Sequence, residues 1–296
     1  MSSSRPARLA VVGNPVAHSR SPQIHARFAA ATGLAVDYTR IESPLDQFVA
    51  TVRAFADAGA RGCNVTVPFK GEAFAACNRL SERARRAEAV NTIVFEADGW
   101  FGDNTDGAGL VRDIELNAGL PLHGKRVLVL GAGGAAAGAL DPLLATRPAA
   151  LVVANRTPAK GQALVERFAA SAARLDVPLS AATLEAPGTG FDVLINATAA
   201  SLQAAVPPLP TGTLNPGALA LDMMYGTAAL PFLRWARGQG AVARDGLGML
   251  VEQAAEAYFV WMGVRPGTFQ LLTELRREVD AQAAAAARTS EPGAAA

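Results

Sequence analysis

Residues 126–138 read Arg126-Val-Leu-Val-Leu130-Gly131-Ala132-Gly133-Gly134-Ala135-Ala136-Ala-Gly138, an apolar run that breaks into a glycine-rich turn and resumes in small residues. Such a run predicts a strand buried on both faces. Gly131, Gly133 and Ala136 fit G-x-G-x-x-A. The first glycine permits a tight turn, the second lets backbone approach a pyrophosphate, and the small third residue lets helix pack on strand. A helix that starts there offers phosphates its free N–H groups and positive dipole. An Ala/Gly-rich turn that merely packs closely would carry the same letters. Its place between a strand and a helix favours a dinucleotide site, with Gly131, Ala132, Gly133, Gly134 and Ala135 as candidate cofactor contacts.

Which dinucleotide is decided at the end of the next strand. Sites for NAD usually place Asp or Glu there, about 20 residues on, to accept from the ribose 2′-hydroxyl. Here Leu151-Val-Val-Ala154 runs into Asn155-Arg156-Thr157-Pro-Ala-Lys160, with no acid and with two cations four residues apart. A helix starting near Pro158 lets Arg156 and Lys160 flank one phosphate, the guanidinium offering paired donors. A solvated Arg and Lys on a surface turn is the ordinary alternative; at this position the pattern predicts NADP.

Outward from this point the chain alternates strands and helices. Apolar runs at Val193-Leu-Ile195 and Ala218-Leu-Ala-Leu221, separated by helix-length segments, predict a Rossmann-type doubly wound parallel sheet over residues 107–246. Residues 1–106 have a different texture. Leu9–Val12 reads as a strand entering the turn Gly13-Asn14-Pro15. Ser21-Pro22 reads as an N-cap with proline at the first helical position, and Gly33 as the helix stop. Val36–Ile41 and Cys63–Val67 are strand-like, Pro44–Ala58 is helical, and Asp98-Gly99 is a hairpin turn between Asn91–Phe95 and Trp100–Gly102. A helix through Leu110, Val111 and Ile114 opens the middle segment, and helical patterns resume from Met249 and after Pro266. The expected fold is α/β in two domains, with boundaries near 106 and 246 and helices over 247–296.

Bulk properties exclude several classes of function. Lys plus Arg number 27 against 26 Asp plus Glu, so no overall field recruits nucleic acid or an anionic membrane. Any bound anion must be held by local groups. The two cysteines, Cys63 and Cys77, form no framework and read as buried free thiols, and His18, His25 and His123 form no metal-ligand spacing with them. No long apolar segment marks a signal peptide or a membrane span, so a cytoplasmic protein is expected, monomeric or homodimeric. The start, MSSSRP, reads as frayed; near the end, the alanine run from Ala281 extends a last helix and TSEPGAAA reads as disordered.

A nicotinamide enzyme acting on an alcohol needs a group that takes or gives the hydroxyl proton, and polar groups that orient the substrate. Candidates cluster at strand ends: His18-Ser19-Arg20-Ser21, Asn64-Val-Thr66-Val-Pro-Phe-Lys70, Ala89-Val-Asn91-Thr92 and Gly102-Asp-Asn-Thr-Asp106-Gly. Together with GAGGAAAG, NRTPAK and DGLGMLVEQAA, these motifs resemble in order those of the shikimate dehydrogenase family, over Val11 to about Trp261. The resemblance implies interconversion of 3-dehydroshikimate plus NADPH with shikimate plus NADP, a step of aromatic amino acid biosynthesis. It also implies a substrate domain completed by the C-terminal helices, with the NADP-binding domain between.

By the same resemblance Lys70 and Asp106 are the catalytic pair. Lys70 acts as general base in alcohol oxidation and as proton donor in reverse; Asp106 orients the amine and binds a substrate hydroxyl. Taken singly, Lys70 would pass for a solvated helix-start lysine and Asp106 for a helix cap. Ser19 and Ser21 resemble the pair that hydrogen-bonds the substrate carboxylate, and Asn64, Thr66, Asn91 and Gln253 the groups that read ring hydroxyls, since amides supply both donors and an acceptor. Tyr225 resembles a contact on the carboxylate side; Met223 and Gly246 resemble the nicotinamide-side lining.

Three departures stand out. The family's INATS-x-G is here Ile195-Asn-Ala-Thr198-Ala-Ala-Ser201, its Tyr-x-Pro-x-x-Thr-Pro is Tyr225-Gly-Thr227-Ala-Ala-Leu230-Pro231, and the asparagine after the histidine of the first motif is Ala26. None touches Lys70 or Asp106. Two competing readings are a quinate/shikimate paralogue and a non-catalytic ligand-binding regulator. The NADP pattern and the serine pair argue against the first, and the intact Lys70 and Asp106 against the second.

Overall fold

The computed structural model describes residues 5–198, 205, 206 and 208–290. The first half contains β1 (Ala7–Gly13), α1 (Ser21–Thr32), β2 (Val36–Glu42), α2 (Phe48–Asp57), β3 (Gly62–Val65), α3 (Lys70–Ala76), β4 (Arg79–Leu80), α4 (Glu82–Ala87), β5 (Thr92–Glu96) and β6 (Gly99–Asp103). Helix α5 (Asp106–Arg112), which widens into a π turn at Asp113–Asn117, leads to the second half. There follow β7 (Arg126–Leu130), α6 (Gly134–Ala145), β8 (Ala150–Ala154), α7 (Pro158–Leu175), β9 (Leu179–Ala182), β10 (Phe191–Asn196), β11 (Leu214–Asp222), α8 (Leu230–Gly238) and β12 (Val242–Arg244). Two long helices, α9 (Leu247–Met262) and α10 (Phe269–Ser290), close the chain.

The strands form two separate sheets. In the second, all pairings are parallel and the order is β12-β11-β10-β7-β8-β9, the doubly wound arrangement. The burial of β7 explains its unbroken apolar run. Val127 and Val129 pack with Leu140 and Leu143 of α6 and Phe168 of α7, while Leu128 and Leu130 pack with Phe232 and Ala236 of α8. Alternate side chains therefore enter two different cores. The strand order reverses between β7 and β10, and the glycine turn lies there. Gly131 has φ of 102°, and a Cβ on it would stand 3.1 Å from the Thr198 methyl and 3.2 Å from the Ala197 carbonyl oxygen.

The first sheet has the order β2-β1-β3-β5-β6-β4 and is mixed: β1 pairs in parallel with β2 and β3, while β5 runs antiparallel to β3 and β6. The expected hairpin at Asp98-Gly99 joins β5 to β6, with Glu96 opposite Gly99. Ser21 is not the N-cap of α1. Arg20 holds that place, and Ser21 is the first helical residue, its N–H donating to the Ser19 hydroxyl. Helix α2 begins at Phe48, four residues after Pro44, and β3 stops at Val65. The short strands β4, β9 and β12 carry no apolar run of their own and exist because a neighbouring strand pairs with them. Cys63 is fully buried and Cys77 half-buried, both as thiols. The alanine run extends α10 to Ser290, while residues 1–4 and 291–296 lie outside the described residues. Among the described residues no helix is long and apolar enough to cross a membrane.

Helix α9 packs on the first sheet and on the connecting helix α5. Its start packs Leu247 and Val251 against Ile24 and Phe28 of α1. Towards its end the Tyr258 hydroxyl meets the Thr32 hydroxyl at 2.7 Å, and Trp261 donates its indole N–H to the Ile93 carbonyl at 2.9 Å. Gly62 makes room for that indole: a Cβ there would lie 2.4 Å from Trp261 Nε1. Glu252 on the same helix accepts from Arg112, Arg265, Thr268 and Asn117. Burial acts to raise its pKa, but the hydrogen bonds from Thr268, Arg112 and Asn117, with the Arg112 charge, hold it below the ordinary carboxylate value.

Asp113 is fully buried and takes both Nε (2.9 Å) and Nη2 (2.5 Å) of Arg244, so the first turn after α5 is bolted to β12. The pair lies over Gly248, where a Cβ would approach Asp113 Oδ1 to 1.7 Å. An alanine in a helix interior ordinarily gains up to about 1 kcal/mol over glycine, an upper bound for Gly248, the second residue of α9. Displacing a buried carboxylate from its guanidinium costs more. Gly248→Ala is expected to lower unfolding free energy by about 2–4 kcal/mol in a denaturant titration; an unchanged or raised midpoint would show that the pair can yield.

Candidate functional site

The ends of β3, β5 and β6 and the starts of α3 and α5 meet at one polar cluster. Lys70 opens α3, and its carbonyl accepts from the Val90 N–H at 3.0 Å, which ties that helix to the segment bearing Asn91. Asp106 opens α5, its N–H donating to the Asn104 side-chain oxygen. Lys70 Nζ lies 2.5 Å from Asp106 Oδ2, with side-chain exposures of 26% and 11%. The pair is thus largely enclosed while the amine keeps one open side.

Asn91 holds this pair. Its Nδ2 donates to Asp106 Oδ1 at 2.7 Å and to the Thr105 hydroxyl at 2.9 Å, and lies 3.5 Å from Gln253 Oε1. Its oxygen accepts from the Thr105 N–H at 2.9 Å and the Thr92 hydroxyl at 2.8 Å. A carboxamide has two N–H donors and one oxygen with two lone pairs, so these partners use it fully. Gln253, from α9, donates to the Leu250 carbonyl with its own amide and presents its oxygen to Asn91 and Thr105.

The second cluster lies at the end of β1. The Ser19 and Ser21 hydroxyls are 3.2 Å apart. Arg40 of β2 donates to the Ser19 carbonyl through Nε at 2.9 Å and Nη2 at 2.5 Å. Tyr38 donates its hydroxyl to Asn64 Oδ1 at 2.7 Å, while the Asn64 amide donates to the Asn91 carbonyl and the Thr92 hydroxyl, both at 3.1 Å. Asn64 therefore links the two clusters. Thr66 is half-buried beside Gly13, where a Cβ would lie 2.4 Å from the threonine methyl. Tyr225 is half-buried, its phenol pushed above its ordinary pKa by burial and near the Arg20 guanidinium. Tyr38, Thr92, Thr105 and Arg40 were not singled out from sequence. Thr92 and Thr105 lie inside the strand-end motifs; Tyr38 and Arg40 sit in an alternating strand with no local mark.

His25 supports this floor from below. It is fully buried and stacks on Tyr38 with ring centroids 4.1 Å apart and planes 6° from parallel. Phe28, Tyr258 and Trp261 surround it, and neither ring nitrogen reaches hydrogen-bond geometry with a partner among the described residues. Burial outweighs the opposing influence of the nearby Asn64 side chain and pushes its pKa down to about 3.

At the glycine turn, Gly133, Gly134 and Ala135 are exposed and Ala132 half-exposed. A Cβ on Gly133 or Gly134 would meet no atom within 4 Å, so a bare backbone edge faces open space at the start of the 12-residue helix α6. That edge fits a pyrophosphate. Arg156, Thr157 and Lys160 are exposed, and Asn155 is half-buried with its amide on the Thr157 carbonyl; Thr157 holds the N-cap position of α7 without a side-chain cap bond, and Pro158 begins the helix. Met223 is half-buried, and Gly246 abuts it, since a Cβ there would lie 2.3 Å from the Met223 carbonyl oxygen. Thr198 is half-buried; residues 199–201 of the altered loop lie outside the described residues. The turn and the Lys70 cluster are neighbours through α6. A Cβ on Gly107 would lie 2.3 Å from the Gly138 carbonyl oxygen, and one on Gly138 would lie 3.1 Å from the Asn104 amide.

A parallel sheet with an open glycine turn at its switch point, set against a second lobe whose polar pocket pairs a lysine with an aspartate, defines a dinucleotide-dependent dehydrogenase. Three family models match in order: the shikimate dehydrogenase substrate binding domain over residues 11–93, shikimate / quinate 5-dehydrogenase over 115–205, and the shikimate 5′-dehydrogenase C-terminal domain over 246–268. The chain belongs to the shikimate dehydrogenase family. It is 59% identical over 279 residues to a shikimate dehydrogenase (NADP(+)) of Methylibium petroleiphilum, covering 92% of this chain and 95% of that one. Among solved structures, an Ael1 enzyme from Pseudomonas putida matches with a TM-score of 0.84 and 47% identity, over 91% of this chain and 98% of that one. A Thermus thermophilus shikimate 5-dehydrogenase, in complex with NADP(H) and shikimate, matches with a TM-score of 0.78 and 33% identity, over 92% and 99%.

The buried imidazole has a measurable signature. Between pH 6.5 and about 3 the unfolded chain binds a proton at His25 that the folded chain refuses. Its neutral form therefore contributes full stability above pH 6.5, lost progressively as pH falls towards 3. Replacing His25 with Phe is expected to flatten unfolding free energy against pH in that window by up to about 1.4 kcal/mol per pH unit. An identical slope in the two proteins would mean that His25 is charged in the fold.

Proposed function

We propose that this chain interconverts 3-dehydroshikimate plus NADPH and shikimate plus NADP, in aromatic amino acid biosynthesis, with Lys70 and Asp106 at the reacting hydroxyl. The observation that carries the residue assignment is the 2.5 Å contact between Lys70 Nζ and Asp106 Oδ2, clamped by Asn91. In this reading residues 1–106 and 247–296 hold the ring acid, and residues 107–246 hold the dinucleotide. The setting is cytoplasmic.

Lys70 takes the hydroxyl proton when shikimate is oxidised and returns it when the ketone is reduced. Asp106 Oδ2 fixes the amine, and the carboxylate's free lone pairs accept from the substrate hydroxyl beside it. Asn91 uses its donors on Asp106 and Thr105, so its contribution is to hold the carboxylate still. Thr66, Gln253 and Asn64 line the ring, with Gln253 Nε2 retaining one N–H beyond its bond to Leu250. Ser19 and Ser21 donate to the carboxylate, and Tyr225 closes that end.

The bare edge at Gly131, Ala132, Gly133, Gly134 and Ala135 takes the pyrophosphate. Asn155, Arg156, Thr157 and Lys160 take the 2′-phosphate, and Met223 and Gly246 line the nicotinamide side. When bound, NADPH supplies the hydride for reduction and NADP accepts it in oxidation.

Initial rates with shikimate and with quinate, each with NADP and with NAD, test the reading. Shikimate with NADP is expected to lead; quinate with NAD ahead, or tight binding with no cofactor reduction, would overturn it. Lys70→Ala is expected to lower kcat by about 10²–10⁴-fold with a much smaller change in KM, and an unaltered kcat would remove Lys70 from proton transfer. Arg156→Asp is expected to move cofactor preference from NADP towards NAD, read as the ratio of the two kcat/KM values; the same ratio as the parent would detach Arg156 from the phosphate.

A further inference from the structure

The serine pair assigned to the carboxylate is neutral, yet two guanidinium groups flank its loop, Arg20 within it and Arg40 on β2. Arg40 donates twice to the Ser19 carbonyl. Arg20 lies between the two serines in sequence, its side chain is 17% exposed, and it reaches α10, where Nη1 lies 3.5 Å from Glu278 Oε2 and Nη2 donates to Gln282 Oε1 at 2.5 Å. Glu278 is itself shared, since Gln23 Nε2 donates to both its oxygens at 3.2 and 3.0 Å. On its other side Arg20 neighbours the Tyr225 phenol.

Among these partners Glu278 is the single anion. A guanidinium has five N–H donors, and the Glu278 contact is long for a charge-assisted bond, which settles near 2.7–2.9 Å. A cation so enclosed, with one distant and shared carboxylate, favours a second anion nearby. The ring acid's carboxylate on Ser19 and Ser21 would be that anion.

Resting on the reading that this pocket binds a ring acid through its serine pair, we propose that Arg20 is a specificity-determining residue. Its charge selects the carboxylate-bearing substrate over an uncharged counterpart, and Glu278 of the last helix sets how much of that charge reaches the serine pair. The C-terminal helix thereby tunes binding without touching substrate. The effect falls on substrate capture, since the carboxylate keeps its charge throughout the reaction and interacts alike in ground and transition states.

Steady-state oxidation of shikimate and of its methyl ester at saturating NADP tests this in the full-length chain and in Arg20→Gln, Arg20→Lys, Glu278→Gln and the double variant Arg20→Gln/Glu278→Gln. Arg20→Gln is expected to raise KM for shikimate about tenfold, with kcat and the KM for the ester unchanged. Arg20→Lys is expected to restore most of the loss, and Glu278→Gln to lower KM for the acid about threefold. The double variant is expected to behave like Arg20→Gln. Equal losses on acid and ester would make Arg20 a mere support of the loop and overturn the proposal. Recovery of the parental KM in the double variant would do so too, because the loss would then come from an uncovered Glu278. Should Arg20→Gln not fold, Arg20→Lys and Glu278→Gln still decide it: an acid-to-ester ratio unmoved by both overturns it. Parental turnover of shikimate with no selective Arg20 effect sinks this inference alone, whereas no parental turnover of either compound sinks the function proposed above as well.

Discussion

The carboxamide of Asn91 has no hydrogen-bonding capacity to spare, and the polar pocket is arranged around that constraint. Both donors and the oxygen are committed to Asp106, Thr105 and Thr92, from two different strand ends. Buried polar groups must be satisfied, and a network satisfied in only one arrangement permits only that arrangement. Asp106 is thereby fixed before any ligand arrives, and Lys70 is fixed through Asp106. Such pre-set geometry is what a proton-transfer pair requires, because a carboxylate free to rotate would have to be ordered at each turnover.

The surrounding architecture protects that pocket from two directions. Below it, His25 and Tyr38 form a stacked floor walled by Phe28, Tyr258 and Trp261, and the Tyr38 hydroxyl sets the Asn64 amide. Beside it, close approach of small residues lets α5 and α6 touch at Gly107 and Gly138, so the loop carrying Asn104 and Asp106 rests on the helix that begins at the dinucleotide turn. On its other sides α5 is held by charge, with Arg112 paired to Glu252 of α9 and Asp113, just beyond it, to Arg244 of β12. In each the carboxylate is buried and the guanidinium partly exposed, so removing either arginine would leave a buried charge without its partner.

How much could be read in advance depended on whether the signal was local. The Rossmann sheet was legible because β7 is buried on both faces, which demands a continuous apolar run, and because the turn after it demands glycine at φ of 102°. The strands β4, β9 and β12 were not legible, since their conformation comes from a partner strand rather than from their own two to four residues. Ser21 reads as a cap by residue type, yet its hydroxyl engages Ser19 and the helix starts one residue early. Lys70 and Asp106 gained weight from motif order, and the fold brings them together. Arg20 lies in a candidate motif without a role of its own and Tyr38 in an ordinary strand, and each gains meaning only with α10 or Asn64 beside it.

The return of α9 to the first sheet also sets a schedule for the nascent chain. Strands β1 to β6 and helix α1 leave the ribosome first, but Leu9, Ile24 and Phe28 are covered by residues of α9 that are made only after the whole parallel sheet. At translation rates of about 5–20 residues per second, that apolar face stays uncovered for about ten to fifty seconds. The parallel sheet, contiguous in sequence, can close during that interval, while the half that carries the lysine and the serines waits for its last helices.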